Sequence, residues 1–232
     1  MLKALVPLTA VVLLSGCIIV VGEEYRDDED LATELRTLDL AAADLDGLVA
    51  TTGAGSFELI GEEGRTSIDV SAEIRYADPD DIRLSLERQG SKARLIAEMR
   101  NDSRHGGRAH INVLVRVPAG LDLDLEDGSG AIDISGLRST VLVNDGSGSL
   151  QIDGGAALTL KDGSGAIVVE QISGDVFIDD GSGEIQVRDI GGTVTIKDGS
   201  GAISVRGAGG LNILESGSGG VEIKDVRGPV DL

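Results

Sequence analysis

Apolar and polar residues alternate in short segments through the second half of the chain, and glycines bound each segment. In residues 184–188 (EIQVR) every second side chain is aliphatic, and residues 193–197 (TVTIK) repeat the pattern after a Gly-rich corner. Alternation with a period of two is typical of a β-strand that buries one face. Each unit of this region is therefore predicted to contain two short strands joined by tight turns.

A four-residue phrase, Asp-Gly-Ser-Gly, precedes the first strand of each unit. It begins at Asp127, Asp145, Asp162, Asp180 and Asp198, with a degenerate copy at Ser216, so the spacings are 18, 17, 18, 18 and 18 residues. Alignment at this period gives aliphatic columns such as Ile132, Leu150, Ile167, Ile185, Ile203 and Val221. A fixed short period indicates stacked copies of one supersecondary unit, and it is well below the roughly 40 residues of a propeller blade.

These columns predict an all-β fold, a parallel β-solenoid (single-stranded β-helix) with coils of about 18 residues. Each strand would bond to the equivalent strand of the next coil, roughly 4.8 Å away. One position breaks the pattern: at 18-residue spacing Asn212 falls in the aliphatic column of Val194. The sequence leaves open whether Asn212 marks a bulge or a polar plug.

Residues 41–120 depart from this period. They contain longer alternating runs at 67–74, 82–88, 93–99 and 110–117, with a turn at 101–107, and a weak earlier copy of the phrase at 52–55. An exposed solenoid end would pair with other chains, so this part is predicted to cap the stack as irregular coils or a small sheet. The predicted organisation is a signal peptide (1–16), an acidic tether (17–40), an irregular N-terminal β part (41–120) and a regular solenoid (121–232).

The N-terminus indicates export. Lys3 precedes a short apolar run that is too short to span a bilayer, and the run ends in Leu14-Ser-Gly-Cys17. This ending resembles the lipobox of bacterial lipoproteins, and Cys17 is the only cysteine in the chain. The resemblance implies cleavage before Cys17, acylation of that residue and anchoring to a membrane. Ile18 follows the cysteine where an aspartate would imply retention in the inner membrane, so a Gram-negative source implies the outer membrane.

Composition narrows the functional classes. The chain carries 40 acidic and 20 basic residues, and its only aromatic side chains are Tyr25, Phe57, Tyr76 and Phe177. Nineteen acidic and seven basic residues lie from position 119 onward, so the repeat region holds most of the net charge of −20. The lack of a basic patch argues against nucleic acid, and the scarcity of rings argues against a lectin or a single-strand binding platform.

The aspartate column is the main candidate site. Asp127, Asp145, Asp162, Asp180 and Asp198 stack at coil spacing, and carboxylates roughly 5 Å apart repel unless a cation such as calcium relieves them. The alternative is structural, because an aspartate before Gly-Ser-Gly can accept hydrogen bonds from backbone amides two residues on. The neighbouring column Lys161, Asp179, Lys197 and Glu215 alternates in sign and can pair without a metal. The turn interpretation is favoured, and calcium binding by the five aspartates is kept as the alternative.

No catalytic set is predicted. His105 and His110 lie near the turn at 101–107 without metal-ligand spacing around them, so a surface or strand-face role is expected. Carboxylate pairs occur throughout so acidic a chain and do not by themselves indicate glycoside cleavage. The Gly-Ser-Gly phrases lack the following lysine and helix of a phosphate loop. The sequence therefore predicts no cofactor.

From about Leu40 onward, the chain resembles bacterial β-strand-repeat envelope proteins that are commonly classed as adhesins. The resemblance rests on Asp-Gly-Ser-Gly followed by apolar alternation, as in residues 180–187, and on the step VRVPAG at 115–120. It implies a parallel β-solenoid that is tethered to a membrane and has no catalytic residues.

The predicted function is that of a non-enzymatic, lipid-anchored envelope protein whose rigid acidic solenoid serves as a scaffold or an adhesion surface. Its partners would be the membrane, through the lipid anchor, and an unidentified envelope or surface molecule. Two alternatives remain open: a polysaccharide-active β-helix enzyme and a calcium-responsive cell-surface module.

Overall fold

The computed structural model describes residues 17–20, 25–26, 31–100 and 108–232, and strands dominate this part of the chain. The N-terminal strands are β1 (Cys17–Val20), β2 (Tyr25–Arg26), β3 (Ala32–Ala41), β4 (Gly47–Thr52), β5 (Phe57–Glu62), β6 (Ser67–Tyr76), β7 (Ile82–Gln89), β8 (Lys92–Met99) and β9 (His110–Pro118). The strands of the repeats are β10 (Asp122–Asp127), β11 (Ile132–Ser135), β12 (Thr140–Asp145), β13 (Gly148–Gly155), β14 (Ala157–Asp162), β15 (Gly165–Ile172), β16 (Val176–Asp180), β17 (Ile185–Arg188), β18 (Thr193–Asp198), β19 (Ile203–Arg206), β20 (Gly210–Ser216), β21 (Val221–Lys224) and β22 (Val230–Asp231).

A 3-10 helix at Pro79–Asp81 precedes β7. Within the described ranges, no helix is long and apolar enough to cross a bilayer. The predicted signal peptide, 1–16, and the predicted turn at 101–107 lie outside the described residues.

Two sheets form the walls of the molecule. Sheet A runs in the order β1-β3-β6-β9-β5-β11-β13-β15-β17-β19-β21, with β2 paired to β3, and sheet B runs β22-β20-β18-β16-β14-β12-β10-β4-β8-β7. From β10 onward the chain alternates between the sheets, and each strand pairs in parallel with the strand two places further along the chain. The predicted parallel β-solenoid is confirmed, with about six turns of roughly 18 residues.

The aliphatic columns fill the space between the sheets. Ile132 pairs with Leu150 and Ile134 with Ile152, and the same register continues through β21. One column of sheet A is at most 1% exposed along its length: Ile134, Ile152, Val169, Val187 and Val205. Burial of each such aliphatic side chain stabilises the fold by about 1.5–3 kcal/mol. The residues of these columns are the inward members of the alternation, which therefore accounts for most of the core.

The last glycine of each Asp-Gly-Ser-Gly phrase lies where consecutive coils touch. Gly165 has φ +153°, and a Cβ added there would lie 1.6 Å from the carbonyl oxygen of Gly148. Gly148 is its partner in the coil before, and it in turn would place a Cβ 1.6 Å from the oxygen of Gly130. The phrase therefore requires glycine at this corner, because no side chain fits between coils.

The first coil is separated in sequence from the second. Strands β4 and β5 pair in parallel with β10 and β11, and Ala54 forms a bridge with Ser129. The predicted earlier copy of the phrase at 52–55 is thereby confirmed, and residues 63–121 are an insertion between two coils that are neighbours in space. Part of this insertion, β8 and β9, pairs in parallel with the opposite edges of β4 and β5.

Antiparallel strands close the N-terminal end, as the change of period predicted. Strand β7 pairs with β8 in sheet B, and β6 and then β3 continue sheet A beyond β9. Strand β3 carries buried Leu38 and Leu40, so residues 32–41 belong to the folded body. The range 17–40 assigned to an acidic tether therefore overlaps strands of the sheet.

A bulge in β20 answers the question raised by Asn212. Val194 pairs with Leu211 and Thr195 with Asn212, after which the register shifts so that Lys197 pairs with Glu215. Leu211 and Ile213 fill the core, whereas Leu214 is 62% exposed. Alignment at a fixed spacing of 18 residues therefore wrongly assigned Asn212 and Leu214 to inward columns. Paired residues of β18 and β20 are 17 positions apart before the bulge and 18 positions apart after it.

Candidate functional site

The aspartate column faces the interior of the solenoid. Asp145 ends β12, and it follows Val141 and Val143 at intervals of two residues, so its side chain shares their inward face. In consecutive coils the paired positions are Asp127, Asp145, Asp162, Asp180 and Asp198, which are 8%, 4%, 6%, 3% and 1% exposed. We call these five side chains the aspartate ladder. The burial of these aspartates follows from the alternation of inward and outward residues along each strand. The Asp-Gly-Ser-Gly phrase by itself indicated only a turn.

Part of the ladder holds the backbone turns. The carboxylate Oδ1 atoms of Asp145, Asp180 and Asp198 accept hydrogen bonds from the amides two residues on, at 3.3, 3.1 and 3.0 Å. At the N-terminal end, the Thr52 hydroxyl occupies the equivalent position in the first coil and donates to Asp127. The Asx-turn interpretation is therefore confirmed at these three aspartates.

The remaining carboxyl oxygens of the ladder lack hydrogen-bond partners. Among the described residues, nothing donates to Oδ2 of Asp127, Asp145, Asp180 or Asp198, or to either oxygen of Asp162. A buried carboxylate with unmet acceptors is costly, so the protonated form is favoured. The turns thus account for the Oδ1 atoms of Asp145, Asp180 and Asp198 but not for their Oδ2 atoms.

The pKa values follow this environment. Burial, reinforced by the charges of Asp145 and Asp180, raises the pKa of Asp162 to about 7. Burial likewise raises the pKa of Asp127 to about 6, against the lowering effect of the Thr52 hydrogen bond. The pKa values of Asp145, Asp180 and Asp198 are also raised by burial. Near neutral pH the ladder is therefore partly protonated, which reduces repulsion between its rungs.

Calcium binding by the ladder remains a prediction. In the part of the chain that the structure describes, no group of three or more His, Cys, Asp or Glu side chains is arranged to hold a metal ion. Calcium takes six to eight oxygen ligands, whereas the rungs lie in a single file in a core otherwise filled by aliphatic side chains. Proton sharing between neighbouring carboxyls fits this geometry better than a cation.

The outward face of sheet B carries a central uncharged column. It consists of Leu142, Thr159, Phe177 and Thr195, in register over consecutive coils, and it follows Asp124 of the coil before. Leu142 is 40% exposed and Phe177 is half-buried. We call Leu142, Thr159, Phe177 and Thr195 the Leu142 column. Each member lies one strand spacing from the next.

A column of mixed charge runs beside the Leu142 column. Lys197 lies 3.7 Å from Asp179 and 4.0 Å from Glu215, so the predicted pairing between coils is confirmed at Lys197. All three side chains are more than one third exposed, and each pair contributes at most about 1 kcal/mol. The two columns together give sheet B a surface on which uncharged and charged stripes lie side by side.

The remaining sequence candidates are dispersed. His110 begins β9, where its Nδ1 atom lies 3.0 Å from the carbonyl oxygen of Arg108, and His105 lies outside the described residues. The backbone of Cys17 begins β1, in register with Asp39 of β3. The predicted lipid-attachment residue therefore lies at the start of an edge strand of sheet A, beyond the capping strands.

Comparison with known proteins supports the fold. A solved structure from Parabacteroides distasonis, named "putative lipid binding protein", has a TM-score of 0.51 and 19% identity, over 85% of this chain and 93% of that chain. It shares the fold of this chain.

Two further solved structures align at lower similarity. A "putative adhesin" from Bacteroides fragilis has a TM-score of 0.41 and 11% identity, over 85% of this chain and 96% of that chain. A "putative cell adhesion protein" from Clostridium sporogenes has a TM-score of 0.34 and 9% identity, over 86% of this chain and 98% of that chain. No family model and no curated protein matches the chain.

Proposed function

We propose that this chain is a non-enzymatic, lipid-anchored protein of the bacterial cell envelope whose rigid solenoid presents an adhesion surface. The observation that carries this proposal is the outward face of sheet B, where the Leu142 column forms an uncharged stripe beside charged residues. Parallel strands fix the spacing of these side chains, so a partner meets a surface that is already ordered. The TM-score of 0.51 to the solved structure from Parabacteroides distasonis supports the fold on which this surface depends.

The acidic surface supports the envelope role. The repeat region carries 12 of the 20 net negative charges, which favours solubility and keeps the body away from anionic lipid and nucleic acid. Anchoring to the membrane would therefore depend on the acyl chains at Cys17 and not on the surface of the solenoid. The Leu142 column is a place where charge repulsion is locally weak, so it is the part of sheet B best suited to contact another molecule.

Charging the Leu142 column should weaken adhesion. We expect the double substitution Leu142→Asp and Phe177→Asp to reduce adhesion of cells that display the protein by at least several-fold, because it places two charges in the uncharged stripe. The matched control is Gln151→Asp with Gln186→Asp, which adds the same charge at outward positions of comparable exposure on sheet A. Attachment of cells to host or bacterial surfaces, normalised to protein displayed, is the measurement.

The result would contradict the proposal if the sheet A variant lost attachment and the sheet B variant did not. Reproducible polysaccharide turnover that a single outward carboxylate substitution removes would instead support the enzyme alternative. Both double variants change only outward side chains, so their melting temperatures should remain close to that of the unsubstituted protein.

The lipid anchor gives a separate prediction. Cys17→Ser removes the thiol to which the diacylglycerol would be attached, so the protein should move from the membrane fraction to the soluble fraction. Ser15→Ala is a useful control, because it changes a neighbouring residue of the same segment and leaves the thiol intact. Membrane fractionation with immunoblotting measures the distribution. Unchanged membrane association of the Cys17→Ser protein would contradict lipidation.

A further inference from the structure

Cys17 is joined to the folded body by a strand and not by the tether that the sequence predicted. It is the first residue of β1, whose backbone pairs in antiparallel register with residues 36–39 of β3. Strand β2 pairs with the beginning of the same strand, at residues 32–33. Strand β3 is itself fixed, because all ten of its residues pair with β6. A lipid attached at Cys17 is therefore held against a strand of the sheet.

Strand β1 lies at one extreme of the solenoid axis. At the capped end β1 is the outermost strand of sheet A among the described residues, and β7 is the outermost strand of sheet B. Strands β4 and β5 belong to one coil, yet β4 lies two strands from β7 whereas β5 lies four strands from β1. Sheet A therefore extends about two strands, roughly 10 Å, further than sheet B at this end. Cys17 lies on the part of the body that protrudes furthest along the axis.

We propose that the capped end is the surface of this protein that faces the lipid bilayer, with the solenoid axis directed away from the membrane. The inference rests on the proposed lipid anchor at Cys17. Acyl chains that are buried in the bilayer hold the residue that carries them at the level of the headgroups. Because that residue belongs to β1, β1 lies beside the headgroups, and the other strands follow outward in the order of the two sheets.

The distribution of charge favours this orientation over one in which a sheet lies flat on the bilayer. The repeat region, from position 119 onward, carries 19 acidic and 7 basic residues, and an anionic leaflet repels it. Residues 61–118, which supply four strands of the capped end, carry ten acidic and ten basic residues. The upright orientation therefore places the most acidic half of the body furthest from the membrane.

The capped end is suited to contact with headgroups and not to insertion into hydrocarbon. Leu38 and Leu40 of β3 are buried, but Glu34 and Arg36, on the same face of that strand, form an ion pair with each other. Residues 23–30 add six acidic side chains beside the anchor. Transfer of these charges into an apolar medium would be costly, so the contact stays at the surface of the bilayer.

The upright orientation fixes the height of the Leu142 column above the membrane. The column begins on β12, four strands from β7, and ends on β18, seven strands from β7. At about 4.8 Å per strand, it lies roughly 19–34 Å beyond β7 along the axis. The solenoid thus serves as a rigid spacer that holds the proposed adhesion surface clear of the headgroups.

Energy transfer from the protein to the bilayer tests the orientation. Glu87, Thr159 and Asn212 lie in one outward line across sheet B, on β7, β14 and β20. Each is replaced by cysteine in a separate full-length chain, which is purified in its lipidated form and labelled with a donor dye. Lipidation consumes the thiol of Cys17, so the dye reacts only with the introduced cysteine.

The labelled chains are reconstituted into vesicles of phosphatidylethanolamine and phosphatidylglycerol that contain an acceptor-labelled lipid. Strand β20 lies eight strands from β7, which is about 38 Å along the axis. We therefore expect the transfer efficiency to fall in the order Glu87→Cys, Thr159→Cys, Asn212→Cys, by at least about two-fold over this height.

An inserted linker tests whether β1 holds the body at the membrane. A Gly-Ser segment of about 10 residues placed directly after Cys17 has a root-mean-square span of roughly 17 Å. It separates the lipid from β1, so transfer from Glu87→Cys should fall and the differences among the three labels should shrink. The matched control is the same segment added after Leu232, which leaves β1 in place and should leave all three transfer efficiencies unchanged.

Equal transfer from the three labels would overturn the proposal, because a sheet would then lie along the bilayer. Low transfer from all three labels that the insertion after Cys17 does not change would also overturn it, since β1 would then leave the sheet and act as a tether. A chain that stays in solution and takes up dye at Cys17 would contradict the lipid anchor, and the orientation with it. Circular dichroism of each variant checks that the solenoid is folded before efficiencies are compared.

Discussion

Gly165→Ala should destabilise the protein by about 3 kcal/mol or more. The added methyl group would lie 1.6 Å from the carbonyl oxygen of Gly148, and Gly165 has φ +153°, where L residues are strained. Relief requires adjacent coils to separate, and separation would lengthen the hydrogen bonds between β13 and β15 along their whole register. At roughly 2–4 °C per kcal/mol for a chain of this size, the melting temperature should fall by roughly 10 °C.

Gly120→Ala is the matched control for this substitution. A Cβ at Gly120 would meet no atom within 4 Å, so the change should alter stability by no more than about 0.5 kcal/mol. Thermal and urea unfolding of both variants provides the measurement. Equal stability of Gly165→Ala and the unsubstituted protein would mean that the corner glycines do not keep the coils in contact.

Asp162→Asn should stabilise the protein at pH 8 by about 2 kcal/mol. At that pH Asp162 is largely ionised, because its pKa is about 7, and neither of its oxygens accepts a hydrogen bond from the described residues. Asparagine has nearly the same shape and carries no charge. Its amide can donate to the unpartnered Oδ2 atoms of Asp145 and Asp180, which lie in register on either side.

The pH dependence gives the sign of the effect. The folded-state pKa of Asp162 is raised above 3.8, so the folded protein binds this proton more tightly than the unfolded chain does. Its contribution to stability is therefore present at low pH and is lost as the pH rises from about 4 through 7. The raised pKa of Asp127, about 6, acts in the same direction. Asp162→Asn should flatten this part of the stability profile, and the gain should vanish near pH 4.

Melting temperatures at several pH values between 4 and 8 would measure this profile. Asp133→Asn, at an outward position of β11, removes a charge from the surface and should leave the slope unchanged. A loss of stability in Asp162→Asn at pH 8, together with a rise in the melting temperature of the unsubstituted protein in millimolar calcium, would instead support the calcium-responsive alternative. The two outcomes differ in sign, so one series of measurements separates them.

Much of the core could be predicted because alternation and period act locally. Ile134 and Ile152 are inward because every second side chain of a strand faces the same way, and a fixed period aligns them in neighbouring coils. Asn212 shows the limit of this reasoning. Alignment at a fixed period assumes that every coil has the same number of residues, and a bulge changes that number. The change is visible only in the strand pairing, where Val194 pairs with Leu211.

The order of the coils at the N-terminal end was equally beyond the sequence. Strands β8 and β9 come later in the chain than β4 and β5, yet they lie on the far side of them, and β10 returns to the near side. The pattern of apolar residues shows which face of a strand is buried, but it does not show which strand lies beside it in the sheet. The insertion of residues 63–121 therefore appeared only as a break in period.

The sequence by itself determined the repeating coil, the aliphatic columns and the position of the glycines at each corner, because alternation and period can be read from the residues alone. The contact between coils that makes those glycines necessary appears only in the tertiary structure. Tertiary structure decided the environment of the aspartates. Each Asp-Gly-Ser-Gly looks alike in sequence, but stacking places five carboxyls in one buried file, where burial and neighbouring charges set their pKa values. It also decided which end is closed, since a strand becomes an edge only when its neighbours are known.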